Sequence, residues 1–180
     1  MNRNLIIWEI AGACVIIACG SLLHFVFEWL GNYYPVALIA AVNESVWEHL
    51  KLAFWPSLIW AGIEYPYLRK LVPNFLVAKI TGIIVMPIFI VIVFYSYTSV
   101  VGSSILFVDI STFVIAVFAG QIVSYKILLI GSPVIWLKNL SLVALALSIF
   151  AFSLFTYFPP RLPLFEDSRN GSYGITTEIK

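Results

Sequence analysis

Five apolar runs, each long enough to cross a bilayer as a helix, constrain this chain more than any other feature. They cover about residues 5–30, 48–68, 76–98, 105–127 and 134–157. About 30 Å of hydrocarbon takes roughly 20 apolar residues in a helix. Lipid offers the backbone no hydrogen bonds, so segments of this kind satisfy themselves as helices. The breaks carry turn residues: "GNYYP", "RKLVPN", "VVGSS" and "IGSP" between the runs, and "YFPP" after the last. The expected class is all-α, an integral membrane bundle of about five transmembrane helices over residues 1–158. Residues 159–180 form an external tail, expected to fold back on the outer face. The segment "YPVALIAAV" (Tyr34–Val42) is too short to cross and reads as a short outer interfacial or re-entrant piece started by Pro35.

Charge is scarce. Only 11% of residues are charged, against about 25% in soluble domains, so the bilayer is the expected main partner. A net charge of +1 gives no electrostatic case for nucleic acid. Lysine and arginine placement sets the orientation. Arg3, Arg69, Lys70, Lys79, Lys126 and Lys138 fall on one side of a five-span arrangement. The other side has only Lys51 before the tail, which adds Arg161, Arg169 and Lys180. A multi-pass protein of the cell membrane follows, with a cytoplasmic N-terminus and an external C-terminus. Cys14 and Cys19 point about 140° apart on a helix, poorly placed for a mutual disulfide. The "IIAC" before Gly20 looks like a lipidation signal, but Glu9 interrupts the run before it and "SLLHFVFEWL" continues the run beyond.

Against this background the stretch "NESVWEHLK" (Asn43–Lys51) stands out, with an amide, two carboxylates, a histidine and a lysine in nine residues. His24 and Glu28 lie near the same outer end, as does Asp109 in the fourth run. Ionisable groups within spans cost several kcal/mol unless they pair, neutralise or face water. His24 and Glu28 share a helix face at i, i+4, as do Glu44 and Glu48, whereas His49 points about 100° from Glu48. One reading is local: "SVWE" is a capping box with Ser45 as N-cap, and Glu48 with Lys51 is a helical ion pair. A sharper reading is a site for zinc, iron or manganese with His24, Glu28, Glu48 and His49 as ligands. Asn43, Glu44, Lys51 and Asp109 would then contact a small polar ligand or cation, with Glu44 the candidate general base. The same groups also suit a proton or cation relay. No H-E-x-x-H signature is present.

Glu9 and Glu64 are expected in the inner headgroup region beside Arg3, Arg69 and Lys70. Asp109 either caps its helix or joins the outer cluster. Trp8, Trp29, Tyr33, Tyr34, Trp47, Trp55 and Tyr157 read as interfacial anchors. In the tail, Leu162, Leu164, Phe165 and Tyr173 are apolar handles flanking the turn-forming "NGS", and they favour a tail folded over the outer cluster. Asn43 and Asn170 also fall in N-x-S triplets.

The stretches "HFVFEW", "NESVWEHLK" and "PPRLPLFEDSRNGSYGI" together resemble a family of small bacterial and archaeal membrane proteins of unknown function. The resemblance implies a shared multi-spanning helical fold and no particular activity. A fainter likeness is to the ceramidase and adiponectin-receptor hydrolases, which hold zinc with three histidines between helices. This chain has two histidines at a different spacing, so that activity does not carry over. Three functions remain open: an outward-facing pocket for a cation or small polar ligand in transport or sensing, a membrane-embedded metal-dependent hydrolase, and a non-catalytic scaffold or assembly partner whose polar groups fix helix packing.

Overall fold

A computed structural model describes residues 2–131 and 135–175. Helices α1 (Asn2–Trp29), α2 (Val46–Leu68), α3 (Phe75–Val101), α4 (Leu106–Leu128) and α5 (Ile135–Tyr157) account for most of the chain. The class is all-helical, with five α-helices and no strand among the described residues. Four of them, α1, α3, α4 and α5, are long and apolar enough to cross a membrane. The expected turn at Ser132 and Pro133, the start of the fifth run at Val134, and Lys180 lie outside the described residues.

Each of α1 to α4 packs on its neighbours in sequence, and α1 also meets α4, so these helices close into a ring. Helix α5 lies outside it against α3. Large apolar side chains face outward all round, Ile59, Ile92, Phe118 and Leu147 among them. That outward face suits lipid rather than water. With lipid outside, apolar burial drives helix association weakly, and close backbone approach takes over. At the α3–α4 crossing, a Cβ on either Gly82 or Gly120 would sit 2.7 Å from the other's carbonyl oxygen. A second close approach has a different cause. Pro56 has no N–H to give the Leu52 carbonyl, and that oxygen would lie 2.5 Å from a Cβ on Gly20 of α1. Gly120→Val should therefore push α3 and α4 apart and lower stability by about 1–3 kcal/mol. Thermal unfolding in detergent checks this; an unchanged midpoint would contradict the close crossing.

The segment before α2 is helical, as expected, but it is a 3-10 turn confined to Tyr34–Leu38 with Pro35 in its first turn. Ala37 and Ala40 are fully buried there. In the tail a 3-10 turn at Pro163–Phe165 leads to an antiparallel bridge between Glu166 and Tyr173, closed through Gly171 at φ +70°. Phe165 is the buried handle, with ring centroids 4.8 Å from Trp47 and 5.5 Å from Phe155, whereas Leu162 is exposed.

Two expectations need correction. Glu9 and Glu64 do not sit among headgroups beside Arg3, Arg69 and Lys70. They are 5% and 0% exposed, and Lys79 Nζ lies 2.6 Å from an oxygen of each. Lys79 is thus an interior counter-ion and not a loop charge, because two buried carboxylates need a cation more than lipid headgroups do. Trp47 is not an interfacial anchor either. Its ring packs against Phe152 and Phe165, since α2 turns it inward beneath the tail.

Candidate functional site

Ser45 organises the polar end of the bundle. It is the N-cap of α2, and its Oγ accepts from the Glu48 amide at 3.3 Å, one half of the expected capping box. The other half is absent: Glu48 accepts from the Val42 amide at 3.1 Å, and the Ser45 amide donates to Asn43 Oδ1 at 2.9 Å. The Ser45 carbonyl accepts from His49 Nδ1 at 2.8 Å. That bond places the ring proton on Nδ1 and leaves Nε2 as an acceptor, the usual way a histidine is prepared as a ligand.

His49 Nε2 points at His24 Nε2, 3.3 Å away across the α1–α2 contact. Glu44 Oε2, on the segment just before the helix cap, lies 3.5 Å from His49 Nε2 and 3.8 Å from His24 Nε2. All three are partly exposed, with side-chain accessibilities of 30%, 35% and 21% for His24, His49 and Glu44, so a ligand can reach them. Among the described residues this is the group whose donor atoms could hold a metal ion.

The tail holds Glu44 in place. Asp167 Oδ2 accepts from the Glu44 amide at 3.3 Å, Ser168 Oγ donates to its carbonyl at 3.2 Å, and Arg169 Nη2 lies 2.9 Å from Oε1. Asn43 Nδ2 donates to the Gly174 carbonyl at 3.0 Å. The role of Asp167, Ser168 and Arg169 was not visible in the sequence. The aspartate followed by serine two positions before "NGS" was at most a turn signal.

The other candidates have different surroundings. Lys51 is fully buried, and its ammonium meets Glu48 Oε2 at 2.5 Å, the Ala37 carbonyl at 2.7 Å and Thr156 Oγ1 at 3.1 Å. Those three partners use all its donors, so Lys51 and Glu48 form a strut between α2, α5 and the 3-10 turn. Glu28 is exposed on α1 and is not part of the converging group. Asp109 is no helix cap, since Ile105 holds that position. It accepts a short hydrogen bond from Tyr97 Oη. Between this end and the Glu9–Lys79–Glu64 group lies an apolar layer that includes Ile16, Phe54, Met86 and Val117.

Helices apolar enough for a bilayer, with paired charges inside and one open polar cluster at an end, define a multi-helix protein compatible with membrane embedding. The chain belongs to a family of unknown function (DUF6512), whose model matches residues 1–175. No curated protein and no solved structure matches it.

Proposed function

We propose that this membrane protein binds a divalent transition metal through His24 Nε2, His49 Nε2 and Glu44 Oε2, and uses the remaining coordination position to take a small polar ligand. The spacing of those three atoms carries the reading. A tetrahedral ion about 2.0–2.1 Å from each ligand sets them about 3.3–3.4 Å apart. An octahedral two-histidine, one-carboxylate face sets them about 3.0 Å apart. Separations of 3.3, 3.5 and 3.8 Å lie nearer the tetrahedral spacing, the geometry zinc usually adopts. Two neutral imidazoles and one carboxylate leave a divalent ion with a net positive charge, ready for an anionic or polar group in the fourth place.

Sensing fits better than conduction, because the apolar layer separates this cluster from the polar groups at the other end. In the membrane, α2 would be the fifth span, its interior charges matched by Lys51 and Lys79. The Arg69–Lys70 end would be cytoplasmic and the His24–His49 end external. A metal-dependent hydrolase is the second reading, favoured by the pattern of three protein ligands and one open, accessible position. In it Glu44 is a ligand and not the general base.

Elemental mass spectrometry of the detergent-purified full chain tests the site, alongside a His24→Ala/His49→Ala variant. The expected result is near-stoichiometric zinc, bound as purified or on adding zinc back, and lost in the variant. A folded wild type that takes up no metal even then sinks the proposal.

A further inference from the structure

The second polar group lies at the opposite end of the bundle, where α1 to α4 meet. Two carboxylates there face one ammonium: Lys79 Nζ is 2.6 Å from Glu9 Oε1 and 2.6 Å from Glu64 Oε2. Exposure of the three side chains is 6% or less. With every group ionised, the cluster carries one uncompensated negative charge in a low-dielectric interior, which costs several kcal/mol. Among the described residues no other charged group lines this site. Trp60 of α2 and Gln121 and Ser124 of α4 complete the surroundings.

The two carboxylates are solvated unequally. Glu9 Oε1 accepts from Lys79 and, at 3.0 Å, from Ser124 Oγ. Its Oε2 is 2.5 Å from the Gln121 amide nitrogen once that amide is turned to suit its neighbours. Hydrogen bonds of this kind hold a carboxylate in its charged form. Glu64, fully buried, has Lys79 on one oxygen and, unlike Glu9, accepts no well-formed side-chain hydrogen bond; the Trp60 indole N–H faces it without meeting hydrogen-bond geometry. Beside it is a small cavity lined by Glu64, Lys79, Trp60, Ser57, Gln121 and Ser124.

We infer that this cluster is an internal proton-binding site: one proton from the aqueous phase sits on Glu64, while Glu9 stays ionised against Lys79. The added O–H makes the cluster electrically neutral. A metal ion is disfavoured here because Lys79 already occupies the position between the carboxylates.

The test is infrared spectroscopy of the full chain in lipid nanodiscs at neutral pH. A protonated carboxyl group gives a carbonyl stretch above the amide band that moves on exchange into heavy water. The expected spectrum shows this band in the wild type and in Glu28→Gln, whose exposed carboxylate serves as control. It is lost in Glu64→Gln, which mimics the neutral acid and should fold. If Glu64→Gln fails to assemble, Glu9→Gln replaces it: Glu64 must then ionise to balance Lys79, and the band again disappears. A folded wild type without the band overturns the inference, as does a band that persists in Glu64→Gln or, where that variant serves, in Glu9→Gln.

Discussion

Lys51→Met is expected to cost about 3–5 kcal/mol of stability, among the largest effects of any single substitution in this chain. Lys51 is fully enclosed, and its three hydrogen bonds tie Glu48, the Ala37 carbonyl and Thr156 together. Without it Glu48, 2% exposed, keeps only the hydrogen bond from the Val42 amide and has no counter-charge. The cost comes from the stranded carboxylate more than from the lost pair. A Lys51→Met/Glu48→Leu double variant should therefore recover most of the stability, since two apolar groups leave no charge behind. Unfolding in detergent by heat or denaturant measures both. If Lys51→Met alone costs less than about 1 kcal/mol, the pair behaves like an exposed one and the strut is not a structural centre.

Asp167→Ala should weaken metal binding by roughly 10–100-fold, the usual range when a group that orients a ligand is removed. Asp167 is 6% exposed, and its carboxylate accepts from the Glu44 amide at 3.3 Å and the Arg169 amide at 2.7 Å. Removing it leaves two amides without acceptors, frees the tail and loosens Glu44, while His24 and His49 stay in register. Loss of a nearby negative charge acts in the same direction. Arg169→Ala should matter much less, because its side chain is 71% exposed and an exposed ion pair contributes about 0–1 kcal/mol. Competition against a coloured chelator reads both affinities. Unchanged zinc affinity in Asp167→Ala would mean that the tail does not position Glu44.

Much of the architecture was legible because it follows from a single physical constraint. Helix ends lie within a few residues of the ends of the apolar runs, since Gly, Pro and Ser punctuate those runs. The N-cap at Ser45 and the Glu48–Lys51 contact were likewise visible, both being local in sequence. His24 and His49 were singled out because ionisable residues are rare in so apolar a chain. How the carboxylates divide was not legible. Glu44 and Glu48 share a helical spacing, yet Glu44 precedes the cap, where the chain is not helical, and turns to the histidines while Glu48 turns inward.

The sequence by itself determined the class and the helices, because hydrophobic run length and local capping need no distant partners. Tertiary structure alone decided which charge meets which. Lys79 finds Glu9 and Glu64 from α1 and α2, and Glu44 finds His24 from α1 and the Asp167 turn from the tail. The low dielectric makes every such pairing obligatory, but leaves the choice of partner to helices brought together by close contacts at Gly20, Gly82 and Gly120.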